Sequence, residues 1–151
     1  VVSHLSSLCF FSLLCLCGCA FSRIIVLEDP LTPEEHLNLG VAYEKKGEFD
    51  NAIKEYESAA KKLPVAYLYL GNAYFQKNQL DEAEKCYKMA IKTEGHNADA
   101  YNNLAWLYYV KGENLREAED FALKALELNP SKEDTYRDTL DKIRELKKSV
   151  P

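Results

Sequence analysis

Three stretches of this chain can be laid over one another. "NLGVAYEKKGEFDNAIKEYESA" (38–59) aligns without a gap to "YLGNAYFQKNQLDEAEKCYKMA" (69–90). "NLAWLYYVKGENLREAEDFALKA" (103–125) follows the same pattern with one extra residue beside Asn114. Such repetition constrains the fold more than composition does. Each copy must make the same contacts, and a short unit cannot bury its apolar face alone, so the copies must stack. The units read as helices. "Thr32-Pro33-Glu34-Glu35" is a capping box with proline at the first helical position, and it opens the repetitive part.

At these positions the sequence resembles the tetratricopeptide repeat, whose signature is Trp-x2-Leu-Gly-x2-Tyr, then Ala-x3-Phe, then Pro. The first copy offers His36, Leu39, Gly40, Tyr43, Ala52, Tyr56 and Pro64. The second offers Tyr67, Leu70, Gly71, Tyr74, Ala83 and Tyr87, with Gly95 where proline is usual. The third offers Tyr101, Leu104, Ala105, Tyr108, Ala118, Ala122 and Pro130. The match runs from about Pro33 to Pro130. The resemblance implies an all-α fold, with three tandem helix-turn-helix units in a right-handed superhelical solenoid. Packing explains the signature: Gly40, Gly71 and Ala105 mark where paired helices meet, Ala52, Ala83 and Ala118 are facing small residues, and Tyr43, Tyr74 and Tyr108 supply bulk.

The expected organisation is a signal segment at 1–18, a tether at 19–31 and a repeat domain at 32–148. The repeats fall at about 33–63, 64–97 and 98–131, followed by a capping helix at 132–148. Gly40 and Gly71 are 31 positions apart, but Gly71 and Ala105 are 34 apart, so almost one helical turn is missing around "KKLPVAYLYL". Beyond Pro130, Ser131 and Asp134 read as a capping pair, and Tyr136, Leu140, Ile143 and Leu146 form one apolar stripe. The other face is charged, as expected of the terminal helix that shields a repeat stack from water.

No catalytic set emerges. Cys86 reads as a helix-surface thiol with no histidine placed to deprotonate it, since His96 lies in the following loop. His36 occupies an aromatic position and reads as a packing residue. Neither a phosphate-binding glycine loop nor metal-ligand spacing is present, so no cofactor and no metal are expected. The formal charge of −5 argues against a nucleic-acid partner, which calls for basic patches.

The segment Val1–Ala20 holds no Asp, Glu, Lys or Arg; all 19 basic residues lie from Arg23 onward and all 24 acids from Glu28. Its cysteines, Cys15, Cys17 and Cys19 among them, have no ligand set or disulfide partners elsewhere beyond Cys86. "Leu16-Cys17-Gly18-Cys19" resembles the bacterial lipobox, which implies lipidation of Cys19 after removal of the preceding residues. An uncleaved membrane anchor is the alternative. The lipobox reading predicts an exported protein anchored through its lipid on the periplasmic side, at the outer membrane because Ala20 rather than Asp follows Cys19.

In this family the first helix of each pair lines a concave groove. By offset from Gly40, Gly71 and Ala105, the resemblance assigns Glu34, Leu37, Val41, Glu44 and Lys45 to it. Val65, Leu68, Asn72, Phe75 and Gln76 come from the second copy, and Asp99, Asn102, Trp106, Tyr109 and Val110 from the third. Chaperone-binding members hold a peptide's terminal carboxylate with basic residues, but the matching positions here are Leu37, Asp99 and Asn103. Amides that hold a backbone and aromatic anchors replace that clamp. Trp106 and Tyr109 have a second reading, as packing beneath the terminal helix. The expected function is non-enzymatic: a scaffold binding a protein or peptide partner. The alternative is an accessory subunit of a membrane-associated enzyme or export system, for which a cysteine-peptidase-like protein is a candidate partner.

Overall fold

The computed structural model describes residues 29–149. The signal, lipidation and membrane-anchor expectations, including Cys19, lie outside the described residues. Within them no helix is long and apolar enough to cross a membrane.

The chain forms α1 (Pro33–Glu44), α2 (Phe49–Ala60), α3 (Ala66–Gln76), α4 (Leu80–Thr93), α5 (Ala98–Lys111), α6 (Leu115–Leu128), a 3-10 turn (Pro130–Lys132) and α7 (Glu133–Ser149). The capping box is present. The Thr32 hydroxyl accepts from the Glu35 backbone N–H at 3.2 Å, and the Glu35 carboxylate accepts from the Thr32 N–H at 2.8 Å. Each helix packs on its sequence neighbour, and α5 also touches α3 and α7. α2, α4, α6 and α7 each have one apolar and one charged face, and burial of those stripes drives the stacking.

The turn inside each pair carries one left-handed residue at the same offset: Gly47 (φ 74°), Asn78 (φ 59°) and Gly112 (φ 68°). Glycine and asparagine tolerate that conformation best, which explains their choice. The third copy's extra residue is Asn114, itself left-handed at φ 51°. The short link between the first two pairs leaves α2 at 12 residues against 14 for α4 and α6.

Inside each of the first two pairs, bulk meets absence of bulk. A β-carbon at Gly71 would lie 2.5 Å from Cε1 of Tyr87, and one at Gly40 would collide with Tyr56 in the same way. Each tyrosine ring therefore lies in a notch that only glycine leaves open. Tyr56 is fully buried and Tyr87 is 2% exposed. Buried aromatic rings of this size are the main apolar contribution of each pair.

Between pairs, a polar row repeats beside the apolar contacts. Lys77 pairs with Asp50 of the preceding unit, and Lys111 reaches Asp81 at 3.0 Å and Glu84 at 3.2 Å. At the far end Glu119 receives Arg144 at 2.7 Å and Lys147 at 2.9 Å from α7. These two cations hold the Glu119 carboxyl below its usual range. α7 thus docks as the first helix of a further unit would.

Three sequence expectations change. Cys86 is not a surface thiol: it is 9% exposed in the cluster with Ile53, Tyr56 and Leu70, because that side of α4 faces the preceding pair. His36 is buried, but as a polar hub rather than as packing. Its Nδ1 lies 2.7 Å from Glu55 and its Nε2 3.1 Å from Asp29. The last helix is entered through the 3-10 turn, where the Asn129 side chain accepts from the Ser131 N–H at 3.2 Å, so Asn129 rather than Ser131 is the cap.

Candidate functional site

α1, α3 and α5 line two adjoining hollows. One is bounded by Val41, Glu44, Lys45, Tyr69 and Asn72. The other is bounded by Glu44, Asn72, Phe75, Gln76, Asn103 and Trp106, with Tyr87 reaching in from α4. Glu44 and Asn72 belong to both, so the hollows form one trough running across three successive helices.

The tyrosines that fill the glycine notches also build this trough. Their rings fill the glycine notches, and their hydroxyls reach residues that line it. Tyr56 donates to Glu44 Oε2 at 2.5 Å, and Tyr87 donates to Asn72 Oδ1 at 3.0 Å. Asn103 Nδ2 donates to the same Asn72 oxygen at 2.8 Å. Burial pushes both phenols well above their ordinary pKa, so they remain donors at physiological pH. The packing motif and the polar floor are therefore one device.

Seven of the residues assigned from sequence line the trough: Val41, Glu44, Lys45, Asn72, Phe75, Gln76 and Trp106. Leu37, Leu68 and Tyr109 are partly buried and pack against the core clusters. Asn102 is 8% exposed, and its Oδ1 is buried without a hydrogen-bond partner among the described residues. The cause is a phase error of one position. Leu37, Leu68 and Asn102 share an offset that turns toward the core, whereas the next residue, Tyr69 or Asn103, faces the trough. One residue is 100° of helix, enough to move a side chain off the open face. Asn103 enters the sequence reading only as a clamp position, and Tyr69 and Tyr87 do not enter it as lining residues, although pairing Gly71 with Tyr87 as notch and ring points to the Tyr87 hydroxyl.

Trp106 satisfies both of its readings. It borders the trough and stacks on Tyr109 with ring centroids 4.9 Å apart, while Lys142 of α7 lies 5.1 Å from its centroid. Asp99, at one of the clamp positions, is tied to the 3-10 turn by Lys132 at 2.7 Å and to α7 by Tyr136 at 2.8 Å.

No nucleophile is poised elsewhere among the described residues. Burial, with Glu57 and Glu82 adding to it, pushes the Cys86 thiol up to about 11, so it stays protonated and weakly reactive at neutral pH. No group of three or more potential metal ligands is present among the described residues. The His36 hub borders a separate hollow with Leu31, Pro33, Ser58, Lys61 and Lys62.

Comparison with known proteins agrees with this architecture. Family models described as tetratricopeptide repeat match residues 33–64 and 98–132, and one described as TPR repeat matches 71–112. No curated protein matches the chain by sequence. Among solved structures, the first TPR of Spaghetti (RPAP3) bound to the HSP90 peptide SRMEEVD superposes with a TM-score of 0.71 at 24% identity, covering 78% of this chain and 94% of that one. The second TPR domain of human RPAP3, in complex with the HSP70 peptide SGPTIEEVD, gives 0.66 at 22%, covering 75% and 98%. The Sgt2 TPR domain from Aspergillus fumigatus gives 0.68 at 17%, covering 75% and 77%. The signature spacing, the glycine notches and the matched models together make this chain a member of the tetratricopeptide-repeat family.

Proposed function

We propose that this chain is a non-catalytic scaffold that holds an extended segment of a partner protein in the trough between α1, α3 and α5. The observation that carries this reading is the immobilised Asn72 amide. It is fixed by Tyr87 and Asn103 and flanked by Phe75 and Trp106, so directed hydrogen-bonding groups lie beside apolar walls. Such a pairing suits a backbone with side chains on either side, and its preorganisation lowers the cost of binding. The peptide complexes of the RPAP3 domains support the use of this fold for peptide capture.

The same proposal places the scaffold at a membrane, exported and lipidated on Cys19, on the strength of the charge-free Val1–Ala20 run and its closing Leu-Cys-Gly-Cys. Partner capture is tested by crosslinking in intact membranes with wild type and with Asn72→Ala/Phe75→Ala. The reading expects the crosslinked band to vanish in the double variant while helicity is retained. A band of equal strength in both removes the trough from consideration. Mass spectrometry of the mature N-terminus tests the anchor, with acyl mass on Cys19 expected; an unmodified N-terminus elsewhere rejects it.

A further inference from the structure

The trough has a direction and a sign of charge that its peptide-binding role alone does not specify. Asn72 Oδ1 receives two donors, Tyr87 Oη and Asn103 Nδ2, which fixes the orientation of the amide. Its own amide nitrogen and the carbonyl oxygen of Asn103 take part in no hydrogen bond among the described residues, and both residues line the trough. Neither is a buried orphan, since Asn102 Oδ1 is the one buried side-chain polar atom without a partner among the described residues. One donor and one acceptor side by side match the C=O and N–H of a strand-like chain passing through.

Glu44 supplies the charge. It borders both hollows, and Tyr56 steadies one of its oxygens at 2.5 Å. Among the described residues no Lys, Arg or His pairs with it. Lys45, the next residue, is turned about 100° away along the helix and borders only the outer hollow. Lys142, at the far end, is held by Asp138 at 2.7 Å. A chain laid over Glu44 strips water from the carboxylate, and that costs free energy unless a cation arrives with it. A terminal carboxylate in the same place adds repulsion instead.

We infer that the trough selects an internal, extended segment carrying Lys or Arg next to an apolar side chain, and that it rejects acidic chain termini; this rests on the peptide-groove reading above. The cation meets Glu44, the backbone pairs with Asn72 and Asn103, and the apolar side chain enters between Phe75 and Trp106.

The probe is a pair of random dodecamer libraries selected on the whole protein, one with amidated ends and one with free C-terminal carboxylates. The binders are then measured by fluorescence anisotropy. The amidated library is expected to yield peptides enriched in Lys or Arg beside an aromatic or aliphatic residue. The peptide SRMEEVD should not compete with them. Glu44→Gln keeps an acceptor for the Tyr56 hydroxyl but removes the charge, and is expected to weaken the selected peptides at least about tenfold. Raising the salt should weaken wild type and leave that variant nearly unmoved. Peptides without basic residues, or basic peptides bound equally by Glu44→Gln, overturn the charge inference. If those peptides are still lost on Asn72→Ala or Phe75→Ala, the groove reading survives that failure. Selected peptides indifferent to all three substitutions, or no selected peptide at all, overturn the groove reading itself.

Discussion

The first two repeats and the third reach the same helix crossing with different chemistry. In the first two, a tyrosine ring fills a notch left by glycine, Tyr56 against Gly40 and Tyr87 against Gly71. In the third, the equivalent positions are Ala105 and Ala122, both fully buried, and Leu140 and Ile143 of α7 join the same cluster. The first solution also packs its ring on the pair that follows, and it donates a hydroxyl hydrogen bond to a residue lining the trough, Glu44 or Asn72. The second donates none, and its core is completed by the helix that follows. The polar floor of the trough thus belongs to repeats one and two, while its aromatic end, Trp106 on Tyr109, lies beneath Lys142 of α7. Repeats that share a signature need not share what stabilises them.

Removing side chain from α7 should have the largest effect. Ile143 is fully buried, and Ile143→Ala is expected to cost about 2–5 kcal/mol through lost apolar contact and the cavity left behind. Urea denaturation followed by circular dichroism would measure it. A loss below about 1 kcal/mol would mean that the third pair does not depend on its terminal helix.

Filling a notch comes next. Gly71→Leu should cost about 1–3 kcal/mol or more, because the new side chain must displace the Tyr87 ring. Gly71→Ala is the sharper probe. Helix propensity alone favours alanine by about 1 kcal/mol, whereas the contact with Tyr87 opposes it. A rise in melting temperature would show that the ring does not occupy the notch. The mirror substitution, Ala105→Gly, should cost about 2 kcal/mol, roughly half from propensity and half from one lost buried methyl, since no ring waits to fill the space.

Much of the fold was legible because its determinants are periodic. Small residues recur where helices touch, and Thr32 with Glu35 announces the first helix through a purely local pair of hydrogen bonds. The site was less legible because it depends on angle. Val41 and Asn72 were placed in the trough by offset, but Asn102 was one residue out of phase with the open face, and Asn103 took its role. Contacts made across long sequence separations left no signal. Nothing near Cys86 announces that the preceding pair covers it, and nothing near His36 announces Glu55 one helix later.

The smallest expected effect is a pH dependence at the outer edge of the first repeat, around His36. His36 joins three elements: Glu55 from α2, Asp29 from the incoming chain, and its own helix, with Lys61 and Lys62 bordering the same hollow. The hydrogen bond to Glu55, aided by the charges of Asp29 and Glu55, raises its pKa above the usual 6.5 despite the opposing pull of burial. A raised folded value means that the protonated form binds its proton more tightly in the native state. The stabilisation is therefore complete below about pH 6.5, the unfolded value, and is lost as pH rises through the higher folded value. Melting measured at low salt should fall as pH rises above about 6.5 in wild type, and this slope should flatten in His36→Gln. The effect stays small because Asp29 is 58% exposed in its side chain, so solvent and salt screen that pair. Cys86, with its thiol near 11, does not titrate in the same window and cannot mimic the slope. Equal slopes in the two proteins would mean that the His36 hub does not couple its proton to folding.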